Sequence, residues 1–369
     1  MPNIGKIPRQ RQYDTNNCRI AMFDNKPFII AGPCSAESKE QMESVTNHLC
    51  SNTKVNLIRC GVWKPRTRPG GFEGMGEEAL KWIADIKQQY PNAVFAVEVA
   101  QPEHVELCLK YGIDSLWIGA RTSGNPFSME ELSSSLRGIN IPLMIKNPLT
   151  PDVKLWIGAI ERMANIGISD IAAVHRGFFL NNNYGYRNNP LWEIAIEMKR
   201  SMPHIPLICD PSHISGNKAM IQSISQTAMD LNFNGLMIEV HPYPCNALTD
   251  KEQQLNFEEF DRLIDSLIIR ENNTSSPYEL EILRKKIDIL DSELLSILSQ
   301  RLDIVKQIAE IKINNNLTVL QLGRWQEVLN NRIDIATNMG LSAEFTQKLL
   351  EHIHTESVRI QDEIMNKNK

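Results

Sequence analysis

Residues 55–90 read VNLIRCGVWKPRTRPGGFEGMGEEALKWIADIKQQY, and the three parts of this stretch set the reading of everything around it. Val55–Gly61 is a short apolar run with the composition of a buried strand, and Glu77–Tyr90 carries apolar residues at helical spacing. Between and around their ends crowd four cations, Arg59, Lys64, Arg66 and Arg68, in a loop stiffened by Pro65 and Pro69. A basic loop is commonly solvated surface. Here the prolines hold the chain still, and Gly70, Gly71, Gly74 and Gly76 let backbone N–H groups approach a ligand closely, which suits an anion such as phosphate.

The same unit of strand, polar exit and helix recurs along the chain. Apolar, β-branched runs lie at Phe28–Gly32, Val55–Gly61, Val94–Val99, Ser115–Ala120, Pro142–Lys146, Ile171–His175, Pro206–Cys209 and Gly235–Val240. Helical patterns such as Glu103–Tyr111, Asp152–Ile166, Leu191–Ser201, Asn217–Leu231 and Phe257–Arg270 fall between and after them, with Pro or Gly at most boundaries. Eight alternations over about 240 residues predict an α/β fold, a (β/α)8 barrel, where a doubly wound sheet more often stops at five or six strands. Such barrels carry their chemistry at the C-terminal strand ends. The groups leaving the runs there are Cys34, the Arg59–Arg68 loop, Glu98, Arg121, Lys146, His175 with Arg176, Asp210 with His213, and Glu239 with His241.

With 369 residues, 42% hydrophobic and 22% charged, the chain reads as a soluble protein of two domains. A net charge of −5 leaves no global basic field, so nucleic acid is not an expected partner and anions must be gathered locally. Seven cysteines without framework spacing indicate a reducing, cytoplasmic setting. The start MPNIGKIPRQRQYD has no apolar signal region and no long apolar run follows, so neither export nor a membrane is expected. The expected organisation is an N-terminal extension at 1–27, the barrel at 28–270, a polar linker at 271–278 and a small all-α domain at 279–369.

In that last domain, positions 283, 287, 290, 294, 297, 301, 304, 308 and 311 step by fours and threes, and all but one are Leu or Ile. At about 1.5 Å per residue, Glu279–Ile313 would make a helix near 50 Å long, more than so small a domain can cover, so a partner helix from a second subunit is expected. The exception in the stripe is Arg301. A guanidinium there must be paired or must await an anion, because an unpaired buried charge is costly. Helices near Gly323–Met339 and Ser342–Met365 complete the domain, with Gly340 as a stop and Ser342 as an N-cap.

KPRTRP at 64–69 resembles the sugar-phosphate loop of type I 3-deoxy-D-arabino-heptulosonate 7-phosphate (DAHP) synthases. GPCSAES, DPSH, IEVHP and TDxxQ resemble that family's metal-ligand motifs. The resemblance implies a divalent metal, Mn²⁺ or Fe²⁺ with Co²⁺ or Zn²⁺ as substitutes, on Cys34, His213, Glu239 and Asp250. It implies that Lys64, Arg121, Lys146 and Arg176, with Arg59 nearby, hold phosphoenolpyruvate. Arg66 and Thr67 would take the phosphate of erythrose 4-phosphate, Glu98 would sit beside the attacking water, and Lys64 would give the proton to the new alkoxide. The chain departs from the family's Lys-Arg-Gly at Lys146-Asn147-Pro148 and from its Glu-Arg-Gly at His175-Arg176-Gly177, the latter placing an imidazole that could titrate near the site. The related 3-deoxy-D-manno-octulosonate 8-phosphate synthases share the barrel and the enolpyruvate chemistry with a five-carbon acceptor. Their corresponding loop resembles Lys-Ala-Asn-Arg-Ser, and Lys-Pro-Arg-Thr argues against them.

LRKKIDILDSELLSILSQR with Lys312, and ESVRIQ, resemble the first and last helices of all-α chorismate mutases. That resemblance implies a homodimer in which Arg284, from the partner subunit, and Arg301 grip two carboxylates of chorismate. Lys312 and Gln361 would donate to the ether oxygen, with Arg324 and Ser357 at the same site. Gln321 and Trp325 stand where many mutases have acids. The alternative is a helical module that only binds prephenate or chorismate and dimerises the chain. In either case, joining the start of the shikimate pathway to a domain that uses its product offers feedback.

Overall fold

The computed structural model describes residues 22–24, 26–64, 70–180, 185–270 and 277–367. The chain divides into two compact units, Met1–Asn272 and Asn273–Lys369.

The first unit begins with β1 (Phe28–Gly32), α1 (Lys39–Ser51), β2 (Val55–Cys60), α2 (Glu77–Gln89), β3 (Phe95–Val99), α3 (Pro102–Lys110) and β4 (Ser115–Ile118). It continues with α4 (Ala120–Ser123), α5 (Pro126–Ser135), β5 (Leu143–Lys146), α6 (Val153–Asn165), β6 (Ile171–His175) and α7 (Trp192–Ser201). It ends with β7 (Leu207–Cys209), α8 (Pro211–Ser215), α9 (Ile221–Asp230), β8 (Gly235–Glu239) and α10 (Phe257–Ser266). The strands pair in parallel and in chain order, and β8 closes on β1 with Gly32 opposite Glu239. This is the eight-stranded barrel read from the sequence, each run shortened by no more than two residues.

Side chains alternate along a strand, so each strand sends one set outward to the helices and one into the barrel. The outward set and the apolar helix faces form a continuous core that includes Ile29, Ile58, Phe95, Ile118, Ile145 and Ile238. The inward set, Ile30, Leu57, Ala96, Trp117, Met144, Val174, Ile208 and Met237, packs a separate inner core. Phe23, fully buried in a short turn at Met22–Asp24, packs edge-on against Phe28 in that inner core. One inward step further toward the C-terminal ends, the eight strands present Gly32, Arg59, Glu98, Gly119, Lys146, Arg176, Asp210 and Glu239. Gly32 is a steric necessity: it has φ of +144°, and a Cβ there would lie 2.1 Å from the Arg59 carbonyl oxygen. A Cβ on Gly119 would lie 2.1 Å from Glu98 Oε1 and would push that carboxylate aside.

The second unit is α11 (Tyr278–Asn314), α12 (Leu322–Asn338) and α13 (Ala343–Lys367). Gly340 takes φ of +88° after α12, and Ser342 caps α13 by accepting the Phe345 N–H. Within the unit α11 buries Val305 and Ala309, whereas the eight apolar members of the 283–311 stripe are 39% to 62% exposed. No helix among the described residues is long and apolar enough to cross a membrane.

Candidate active sites

The barrel's C-terminal end holds a polar cleft of about 540 Å³ lined by Lys64, Arg121, Lys146, Arg176 and Arg187, with Glu98, His213 and Asp250 among them. At its floor Cys34, Glu239 and Asp250 bring a sulfur and two carboxylate oxygens within 4.8 Å of one another. His213 borders this trio, its Nε2 3.7 Å from Glu239 Oε1.

The donor set suits a first-row divalent cation, and three observations test the fit. Glu239 is fully buried and its Oε1 accepts no well-formed hydrogen bond, although Arg59 Nη2 lies 3.0 Å away. His213 turns Nδ1 to Asp210 at 2.9 Å, which fixes the ring so that Nε2 faces the trio, and burial keeps the imidazole below its usual pKa despite Asp210. Cys34 Sγ–H donates to Asp250 Oδ2 at 3.0 Å, and Lys64 Nζ lies 2.8 Å from the same sulfur. Burial, with Glu239 and Asp250, pushes the thiol well above its ordinary pKa, so a cation must displace its proton. Cys34, His213, Glu239 and Asp250 fit a metal of the thiolate, imidazole and carboxylate class.

The cations of the cleft are arranged with equal economy. Arg59 is 1% exposed, stacks over Trp117 at 5.2 Å, and has Nε and Nη1 without hydrogen-bond partners. Burial opposes its charge, but Glu239 and Asp210 outweigh burial. Lys146 donates to Asp210 Oδ2 at 2.7 Å, yet burial still pulls its pKa down. Asp210 would itself be raised by burial, but His213, Lys146 and Arg59 hold it well below the usual carboxylate range. Arg176 donates to Asn188 Oδ1 at 2.6 Å, and burial lowers it to about 10. Glu98 Oε2 accepts from Trp117 Nε1 at 3.1 Å. Arg121 is exposed at the rim. Arg66, Thr67 and the rest of the 65–69 segment lie outside the described residues.

Asn147, one of the two departures noted above, splices neighbouring strand exits. Its Nδ2 donates to the carbonyls of Pro148 and Gly177, and its Oδ1 accepts the Arg176 N–H at 2.7 Å. The splice sets Lys146 beside Arg176. The other departure needs correction: His175 is on the outward register of β6 and does not reach the mouth. It is fully buried among Trp156, Phe178, Trp192 and Phe233, neither ring nitrogen makes a well-formed hydrogen bond, and burial lowers it to about 3 despite the Pro190 carbonyl.

In the helical unit, Arg301 Nη1 donates to Ser357 Oγ at 2.7 Å and Lys312 Nζ to Gln361 Oε1 at 2.9 Å, which brings four of the expected residues onto one face. His354, on the same face of α13 as Ser357 and Gln361, stacks on Trp325 at 3.9 Å, and its Nε2 is buried without a partner. The sequence reading did not name His354 or Arg187. Arg324 is exposed and pairs with Glu327, and Arg284 is exposed and pairs with Glu281. Seventeen positions along one helix separate Arg284 from Arg301, about 25 Å, so the two cannot meet within one copy.

Comparison with known proteins agrees in both units. The DAHP synthetase I family matches residues 12–272, and the chorismate mutase type II family matches residues 283–362. A phospho-2-dehydro-3-deoxyheptonate aldolase of Thermotoga maritima is 31% identical over 239 residues, spanning 65% of this chain and 68% of that one. A 2-dehydro-3-deoxyphosphooctonate aldolase of Azoarcus sp. is 25% identical over 255 residues, spanning 64% of this chain and 88% of that one. The crystal structure of the Thermotoga maritima DAHP synthase matches with a TM-score of 0.58 at 28% identity, covering 66% of this chain and 68% of its own. Barrel, cleft and matches converge: the chain belongs to the DAHP synthetase I family and joins that barrel to a type II chorismate mutase domain, as a bifunctional enzyme of the shikimate pathway.

Proposed function

We propose that the barrel condenses phosphoenolpyruvate with erythrose 4-phosphate at the Cys34–Glu239–Asp250 floor, on metal ligands completed by His213. The observation that carries this reading is the convergence of five cations on a cleft whose floor is a buried thiol and two carboxylates. A divalent metal, Mn²⁺ or Fe²⁺ by preference, supplies Lewis acidity toward the aldehyde oxygen. Lys64, Arg121, Lys146, Arg176 and Arg59 hold phosphoenolpyruvate, and Arg66 with Thr67 hold the phosphate of the aldose. The enolpyruvate C3 attacks the aldehyde carbon, and Lys64 donates the proton that the new alkoxide needs. Water adds at C2 beside Glu98, and inorganic phosphate leaves.

The helical domain rearranges chorismate to prephenate without nucleophile or cofactor, by holding one compact conformer and aiming donors at developing charge. Arg301 and Ser357 bind one end of the substrate, and Lys312 and Gln361 reach the ether oxygen. Arg284 of a second copy, carried along the exposed α11 stripe, completes the carboxylate grip, with Arg324 at the same site. Prephenate or chorismate at that site regulates the barrel, and the enzyme works in the cytoplasm, where its thiols stay reduced.

The test is an assay of the purified whole chain with phosphoenolpyruvate plus either erythrose 4-phosphate or arabinose 5-phosphate, and separately with chorismate. Preference for the five-carbon aldose would replace the acceptor assignment with that of the 2-dehydro-3-deoxyphosphooctonate aldolases. Absence of chorismate turnover would leave the helical domain as a binding and dimerising module.

A further inference from the structure

Arg187 is in none of the motifs that carried the sequence reading, yet it touches two elements of the metal floor. Its backbone N–H donates to the carbonyls of Ile214 and Ser215, at 3.0 and 3.2 Å, on the helix that bears His213. Gly216 follows with φ of +71°, and a Cβ there would stand 2.5 Å from Arg187 Cβ, so the chain closes against this arginine at a position only glycine fills. The side chain then crosses to the opposite wall. Nη1 donates to Asp250 Oδ1 at 3.0 Å and to Gln253 Oε1 at 2.5 Å. Gln253 is 1% exposed, and its Nε2 donates to Glu239 Oε2 at 2.7 Å.

One terminal nitrogen therefore restrains both carboxylates, Asp250 directly and Glu239 through the buried amide. The geometry leaves the other oxygen of each turned to the floor: Asp250 Oδ2 takes the Cys34 thiol, and Glu239 Oε1 faces His213 Nε2. The side chain is 44% exposed, so its worth is orientation more than buried charge.

We propose that Arg187 and Gln253 form a positioning clamp that fixes which oxygens of Asp250 and Glu239 are offered to the metal, and so sets metal affinity. The inference rests on the metal reading above. Carboxylate ligands depend on such outer hydrogen bonds, whose loss typically weakens metal binding about 10- to 100-fold.

The experiment is calorimetric titration of Mn²⁺ into the metal-free whole chain for the wild type, Arg187→Ala, Arg187→Lys, Gln253→Leu and the Ala/Leu double variant. The metal-free thermal midpoint of each is the folding control. Wild type binding one Mn²⁺ per chain, each of Arg187→Ala and Gln253→Leu binding about 10- to 100-fold more weakly, and the double variant little weaker than its singles would establish the clamp, because members of one relay are not additive. Arg187→Lys keeps a charged donor but not the planar guanidinium that aims Nη1 at Asp250 and Gln253 together, and recovery of only part of the affinity is the expected signature. Unchanged or tighter Mn²⁺ binding in folded Arg187→Ala overturns the clamp. So does a raised Michaelis constant for either phosphorylated substrate at unchanged metal affinity, which would make Arg187 a phosphate ligand. If Arg187→Ala does not fold, the Gln253→Leu and Arg187→Lys titrations decide by the same criterion. A wild type that binds no Mn²⁺ at all refutes the metal reading together with the clamp.

Discussion

The two sites of this chain are built by opposite strategies. In the barrel, eight inward positions one step beyond the inner core bring Arg59, Glu98, Lys146, Arg176, Asp210 and Glu239 together within a single copy, and Arg59 is 1% exposed. In the helical unit the corresponding cations stand on helix surfaces: Arg284 and Arg324 are exposed, and each pairs with a glutamate three residues away on its own helix. A closed sheet has one inside, so alternation alone collects its polar residues. A long helix has several faces, and α11 uses one for its own domain and leaves the 283–311 stripe uncovered. The proposed barrel residues meet within one chain, whereas Arg284 and Arg301, about 25 Å apart on one helix, would need two copies to share a site.

The sharpest way to break this contrast is metal removal. A strong chelator should abolish condensation of phosphoenolpyruvate with erythrose 4-phosphate, and Cys34→Ser or His213→Ala should do the same, while chorismate turnover continues unchanged. Parallel loss of both activities would show that the barrel's floor also supports the helical site. Full condensation in chelator would remove the metal assignment.

Next in size is Arg301→Ala. Removing one partner of a hydrogen-bonded charge pair costs about 2 to 5 kcal/mol, roughly 30-fold or more in affinity, so without its carboxylate grip mutase kcat/KM should fall at least that far, with condensation and the dimer retained. The two-copy site is tested by mixing. Arg284→Ala and Arg301→Ala chains, each inactive alone, should regain about a quarter of wild-type mutase activity after co-refolding, since half the dimers are mixed and each carries one intact site. No recovery would confine the site to one chain.

How much of this was legible beforehand differs between the sites for the same geometric reason. The barrel followed from the rhythm of runs and helices, and its inward polar residues follow from counting in twos from Leu57, Ala96 or Met144. The same count places His175 outside with Ile171 and Ala173, a register argument available in the sequence. Arg187 offered no such signal, because it sits in a loop whose periodicity is nil and whose partners, Asp250 and Gln253, are more than sixty residues away. In the helical unit the stripe was visible as a pattern, but a pattern of fours and threes does not say whether the chain's own helices or another copy's cover it. Here they do not cover it. His354 was hidden because one histidine in an amphipathic helix looks like any other until Trp325 is seen beneath it.

A smaller effect separates the barrel's two substrates. Arg66→Ala should raise the Michaelis constant for erythrose 4-phosphate by about 10- to 100-fold, the scale of a lost charge-assisted contact, and change that for phosphoenolpyruvate little. Equal changes would mean that the 65–69 loop serves both phosphates. The barrel would then gather its anions less selectively than its separate strand ends suggest.

The smallest effect concerns stability alone, and it asks whether the barrel's outward layer is as dry as its geometry. His175 is enclosed by four aromatic side chains, with burial holding its pKa at about 3. An unfolded histidine titrates near 6.5. Between those values the unfolded chain binds a proton that the folded chain refuses, so this residue contributes nothing adverse above about pH 6.5 and costs stability progressively as pH falls below it. At pH 5 the cost is about 2 kcal/mol, at roughly 1.4 kcal/mol per unit. His175→Phe keeps the aromatic packing and removes the proton site. Urea unfolding of the barrel transition at pH 7.5 and pH 5 should therefore show the variant losing about 2 kcal/mol less than wild type over that interval, with condensation kinetics at pH 7.5 unaltered within about twofold. If both proteins lose the same stability, the imidazole takes up its proton in the folded barrel, and the Pro190 carbonyl or admitted water outweighs the burial that the aromatic cage imposes.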